Sequence, residues 1–162
     1  MNNSITKKTA LTLPMPAKTK WNVLSNIKTI CDSIVESGLS PERTPLYQTT
    51  ILRLQEYFNT NENQTWILCF AVYQHFCNNN QIYPSEYSDF LSVNVLKVAA
   101  MYSDFVTLRQ KGLLDFTDSK STFSVTAETI KKILNNEIIS HNMKKETSYL
   151  DFVAKVANLY EN

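Results

Sequence analysis

At 162 residues, 43% hydrophobic and 11% aromatic, the chain is long enough to bury a core without disulfide or metal staples, and too apolar to be disordered throughout. Its net charge of +1 conceals an asymmetry: residues 1–28 hold five lysines and no acid, leaving eleven basic and fifteen acidic groups, a net of −4, for the rest. A mildly acidic body argues against a general nucleic-acid binder, and two glycines, Gly38 and Gly112, are too few for any glycine-rich phosphate loop or nucleophile elbow.

Residues 1–17 are polar, lysine-bearing and punctuated by prolines, and read as a disordered leader. Lys7 and Lys8 ahead of Ala10-Leu-Thr-Leu-Pro-Met-Pro-Ala17 imitate a signal peptide, but the prolines and threonines spoil its apolar region. From Thr19, the residues Trp21, Leu24, Ile27, Cys31, Ile34 and Val35 recur at helical spacing, and Gly38 is expected to close that helix. With its loop, this N-terminal helix occupies residues 18–43. Thr44 and Pro45 then signal a helix start, and Tyr47, Ile51, Leu54 and Phe58 form one stripe.

A third helix over 64–77 is apolar nearly all round, which predicts that it lies at the centre. The run from Trp66 to Tyr73 is the longest unbroken apolar stretch, too short to span a bilayer, so a soluble cytoplasmic protein is expected. Gln81, Ile82 and Tyr83 suggest a short strand before Pro84.

Next come a short helix over 85–91 and a longer one from about Ser92 to Lys111, which ends in Leu108-Arg-Gln-Lys-Gly-Leu-Leu114. Val98, Met101, Phe105 and Leu108 face its core side, while Lys97, Ala100, Asp104 and Lys111 point away. Two alternating runs follow, 114–116 and 123–125. Gly112 sits where the helix must turn into a strand. Thr126 is positioned to cap one more helix, with Glu128 early and Lys131 and Lys132 late, as the helix dipole favours. A polar linker over 135–147 leads to a final stripe of Tyr149, Phe152, Val153, Val156 and Tyr160, with Asp151 and Lys155 paired on the wet side.

The fold class is therefore mostly α: a winged helix-turn-helix over 44–136, with extra N-terminal and C-terminal helices. Residues 137–162 form a linker and an amphipathic helix that needs a partner, because its stripe is too apolar to face water. That helix meets Asn162 uncapped, which suits a piece of a longer protein as well as a short protein that dimerises through it.

Chemistry is sparse. Cys31, Cys69 and Cys77 form no CxxC pair and read as buried, reduced thiols. His75 reads as an ordinary packed or surface histidine and His141 as a solvated one; neither has a Cys, Asp or Glu at metal-ligand spacing. Glu86 and Asp89 share a short helix and read as a solvated face. No catalytic, cofactor or metal residue is assigned. For duplex DNA the candidate contacts are Asn94, Lys97, Arg109, Lys111 and Lys120, a thin set beside the acids Asp115 and Asp118 of the hairpin. Candidate partner-docking residues are Tyr149, Phe152, Val153, Val156 and Tyr160.

From Arg43 to Asn162 the chain resembles the N-terminal region of AAA+ family ATPases of Bacteroidetes-type bacteria, in which a winged-helix domain precedes the ATPase module. Four features carry the likeness in order: Ser40-Pro-Glu-Arg43 through Leu54-Gln-Glu-Tyr57, then Gln64-Thr-Trp-Ile-Leu-Cys-Phe70, then Tyr87-Ser-Asp-Phe-Leu91 with the 108–114 run and Phe123-Ser-Val125, and last Ser148-Tyr-Leu-Asp-Phe152 to Leu159-Tyr-Glu161. The resemblance implies that ATP is bound and hydrolysed by a module absent from this chain, so the chain itself is expected to need no cofactor and to be no enzyme. Its expected role is docking, to a protein partner, its own ATPase module or a second copy. DNA reading by helix 92–111 and the wing 114–125 is the alternative, and no membrane partner is expected.

Overall fold

The computed structural model describes residues 21–37, 47–117 and 121–139. These residues are mostly helical, with a single antiparallel hairpin. Helix α1 (Val23–Ser37) buries Ile27, Ile30, Cys31 and Ile34, and α2 (Gln48–Phe58) buries Ile51, Leu54 and Phe58. Both lie on α3 (Glu62–Phe76), in which every residue from Gln64 to Val72 is buried. A helix buried on all faces requires cover on all faces, and α3 also touches the next helix, the hairpin and the helix that leads into the hairpin. Its start is fixed by a capping box: Gln64 N–H donates to Asn61 Oδ1 at 2.9 Å, and Asn61 N–H donates back to Gln64 Oε1 at 3.4 Å.

After α3, Ile82 exchanges two backbone hydrogen bonds with Phe123, each 2.9 Å, so the strand expected around it is a single bridge. Helix α4 (Pro84–Leu91) begins with proline at its first position, and Glu86 accepts the Tyr83 N–H at 2.7 Å. It ends at Ser92, in the left-handed conformation at φ 54°. The helix expected to run unbroken from Ser92 to Lys111 is instead two, α5 (Val95–Ala99) and α6 (Tyr102–Gln110). Between them the Met101 N–H bonds to Val98 O at 3.0 Å, a tightened turn that breaks the α-helical ladder. The side chains of Asn61 and Gln64 donate to Asp104 Oδ1 at 3.1 and 3.0 Å, holding the start of α6 against the start of α3.

Gly112 takes φ +72° with open space where a Cβ would stand, so the turn requires its backbone freedom rather than its smallness. Strands β1 (Leu114–Thr117) and β2 (Thr122–Val125) then pair with Leu114 opposite Val125 and Thr117 opposite Thr122, and the Ile82 bridge gives the order Ile82, β2, β1. Phe105 from α6 packs on Phe123 at 5.0 Å between ring centroids and reaches Tyr87 and Phe116 at 6.1 and 6.3 Å, joining helices to hairpin. Val98, Phe105 and Leu108 are buried and Met101 is half-buried, as their spacing predicts.

Helix α7 (Ala127–Leu134) is capped by Thr126, whose hydroxyl accepts the Thr129 N–H at 3.3 Å. Beyond it Asn136, left-handed at φ 53°, reaches back across the chain. Its Oδ1 accepts the Val23 N–H at 3.2 Å, and its Nδ2 donates to Trp21 O at 3.0 Å. One residue on, Glu137 O accepts the Tyr57 hydroxyl at 2.6 Å, and Ile139 is buried. The first part of the expected 135–147 linker is thus tied to α1 and α2, and α1 shares one core with everything that follows it.

Two side-chain expectations are corrected. Val35 is 57% exposed, because it lies past the edge of the stripe that Ile34 completes. Cys77 is exposed at the end of α3, where burial has already stopped, whereas Cys31 and Cys69 are buried and their thiols are pushed up by loss of hydration. Gly38, Thr44, Pro45, His141 and the 148–160 stripe lie outside the described residues. No helix among the described residues is long and apolar enough to cross a membrane.

The Asn136 clip sets an order of stabilities. Asn136→Gly keeps the left-handed turn but loses two side-chain hydrogen bonds, about 1 kcal/mol each. Asn136→Ala adds a backbone penalty of about 1–2 kcal/mol. Urea unfolding is expected to rank wild type above Gly above Ala; an alanine variant as stable as wild type shows the clip to be idle.

A second expectation concerns alkaline pH. Burial, reinforced by the Glu137 charge, pushes the Tyr57 phenol up to about 12, and burial with the Asp32 hydrogen bond does the same for Tyr73. Raised folded-state values favour the neutral form, so this stability is full below the ordinary phenol range near 10 and is lost as pH climbs through about 12. Melting curves across that window are expected to fall more steeply for wild type than for Tyr57→Phe with Tyr73→Phe. Parallel curves contradict the linkage.

Candidate functional site

The surface that the sequence marks for recognition is the outward side of α5 and α6 with the hairpin beside it. There the structure has a groove of about 460 Å³, with Val95, Ala99 and Tyr102 on the helical wall, Phe116 and Thr117 on the strand wall, and Pro84 at one end. Its floor holds the buried rings of Phe105 and Phe123. Thr122 also lines it, 2% exposed, with a hydroxyl that has no hydrogen-bond partner among the described residues. Tyr102, 69% exposed, extends the apolar surface outward, and Leu96 on α5 is 73% exposed.

Val95, Leu96 and Tyr102 are the large apolar side chains that α5 and α6 leave exposed. Their signal was present in the sequence. Val95, Leu96 and Tyr102 fall off the core stripe of Val98, Phe105 and Leu108, on a face where polar residues are the rule. Grouping them by that face, rather than searching it for cations, finds the groove.

The candidate DNA contacts have distinct placements. Asn94 is the cap of α5, and its Oδ1 accepts the Leu96 N–H at 2.8 Å. The Lys111 ammonium donates to Asn59 O at 2.6 Å, on the left-handed residue that closes α2, and burial lowers its pKa. That bond ties the end of α6 to α2. The Arg109 guanidinium lies over the Phe116 ring, 5.4 Å from its centroid, at the groove. Lys97 is exposed on α5. Lys120, like the docking candidates Tyr149, Phe152, Val153, Val156 and Tyr160, lies outside the described residues. Arg109 thus lines the groove, Lys97 is exposed on α5, and Asn94 and Lys111 hold helix ends.

Glu86 and His75 are also committed locally. Glu86 takes the Tyr83 N–H and an Asn79 side-chain bond at 3.0 Å, and His75 Nδ1 pairs with Asn80 at 2.7 Å. Among the described residues, no three His, Cys, Asp or Glu side chains gather as a metal site would require. Comparison with protein-family models, with curated proteins and with solved structures finds no match for this chain.

The contrast between the two lysines is measurable. Lys111→Met keeps the aliphatic stem but orphans Asn59 O, and is expected to cost about 1 kcal/mol of stability. Lys97→Met, a surface change, is expected to stay within about 0.5 kcal/mol. Denaturant titration reads both, and equal losses contradict these assignments.

Proposed function

We propose that the chain is a non-catalytic docking module built as a winged helix, serving an AAA+ ATPase whose nucleotide chemistry resides in a separate module. Helix α4, the turn at Ser92, helices α5 and α6, and the hairpin follow the order of that module, and the Ile82 bridge supplies its short first strand. One observation carries the choice of docking over DNA. The groove side of α5 and α6 presents Val95, Ala99 and Tyr102, and desolvating these against another protein's apolar surface is favourable, whereas they offer phosphates nothing. The chain neither needs nor hydrolyses ATP in this reading, because it lacks the glycines of a phosphate loop.

The alternative is a duplex-DNA reader, favoured by Arg109 beside the hairpin and by Lys97 exposed on α5. Fluorescence anisotropy against duplex DNA at physiological salt separates the two. The docking reading expects weak, sequence-independent binding that falls when Lys7, Lys8, Lys18 and Lys20 are changed to glutamine. Tight binding that survives those changes and disappears with Lys97→Ala plus Arg109→Ala makes the chain a DNA reader.

A further inference from the structure

We infer that residues 135–139 form a strap poised to open as one unit while the core stays folded, a conformational switch between the body and the chain beyond Ile139. The inference stands whether the chain docks to a protein or reads DNA.

Apolar burial holds the helices together, but the strap is held mainly by polar contacts. Asn136 makes one side-chain hydrogen bond to Val23 and one to Trp21, and Glu137 O takes the Tyr57 hydroxyl. Ile139 is its buried apolar anchor, while Ile138 is 86% exposed. Within the strap, Glu137 N–H donates to Lys132 O at 2.9 Å, and Asn135 Nδ2 donates to Glu137 Oε1 at 3.1 Å. The bonds that cross to α1 and α2 share their partners. Tyr57 carries the bond to Glu137 and also sets its ring edge-on to Trp21, with 6.0 Å between centroids, while Trp21 O takes one of the Asn136 bonds. Loss of one bond loosens the groups that make the others, so they break together.

The closed strap also carries a cost. Trp21 is fixed at its backbone by Asn136 and at its ring by Tyr57, with the Arg53 guanidinium 6.0 Å over the ring. Held there, its indole N–H is buried and has no hydrogen-bond partner among the described residues. A buried donor without an acceptor costs about what one or two ordinary hydrogen bonds contribute, so it offsets part of the hold of the strap. Opening frees the ring and gives that N–H water. The buried stripe of α1 from Ile27 to Ile34 takes no part in these bonds and stays on α3. Everything beyond Ile139 is then anchored at Leu134, the end of α7, instead of at α1 and α2. Five residues lengthen that tether by up to about 17 Å, which changes the sites it can meet and the effective concentration there.

Native-state hydrogen exchange, followed by NMR in the full chain, tests the inference. The reporters are the amides of Val23 and Glu137, whose acceptors are Asn136 Oδ1 and Lys132 O. Both are expected to exchange at least about hundredfold faster than the amides of Ile67 and Leu68 in α3, and with a weaker dependence on urea. Tyr57→Phe removes the bond to Glu137 O and neither reporter's acceptor, and is expected to speed both amides by one common factor, about fivefold. Replacing the Trp21 indole by benzothiophene keeps the two-ring shape with sulfur in place of the N–H, and is expected to slow both amides by about the same factor. Different factors for the two amides in Tyr57→Phe overturn the inference, because the start of α1 and the chain after α7 then fray separately. Exchange at the rate of the α3 amides overturns it too, and so does a benzothiophene ring that leaves the reporters no slower.

Discussion

Helix α3 is buried from Gln64 to Val72, and five of the other described elements lie against it. An amphipathic helix needs one neighbour; a helix apolar all round needs several, from different parts of the chain. Helices α1 and α2 supply two, α4 and α6 supply more, and β2 closes the remainder. The polar ties sit at the helix ends, where backbone groups would otherwise lack partners: the Asn61–Gln64 box, the Asp104 contacts to it, and the Lys111 bond to the close of α2. Apolar burial assembles these helices, and the end contacts choose their registers.

The same division explains what the sequence disclosed. Periodicity reported burial: α3 as the centre, the Val98, Phe105 and Leu108 stripe, and the hairpin after Gly112 were all legible from spacing. Capping at Thr126 was legible because the residue that caps is adjacent to what it caps. The break at Ala100 and Met101 was not, since neither alanine nor methionine disfavours helix, and the tight turn there depends on tertiary contacts such as that between Asp104 and Gln64. The Asn136 clip was equally hidden, because its partners are more than a hundred positions away.

At the candidate site the limitation was one of kind. A search for cations and catalytic pairs treats each polar side chain as available, yet Asn94, Lys111 and Glu86 are occupied in holding helix ends. A residue's chemistry is legible from its type; its prior commitment to the backbone is not. The apolar side chains left exposed, Val95 and Tyr102 on the groove wall above all, were the better guide, because the core makes no use of them.

The bonds from Asn136 to Trp21 and Val23 also bear on how the protein is made. The first turn of α1 emerges from the ribosome early, but the side chain that accepts its Val23 N–H is 113 positions later. Throughout synthesis of α2 to α7 that end has only its local cap, Asn22, whose Oδ1 accepts the Ser25 N–H at 2.8 Å, and α1 can rest on α3 without its final lock. Completion therefore travels from the late part of the chain back to the early one. Such long-range closure slows the last step of folding, and it makes the finished α1 a report that the whole body behind it has been built.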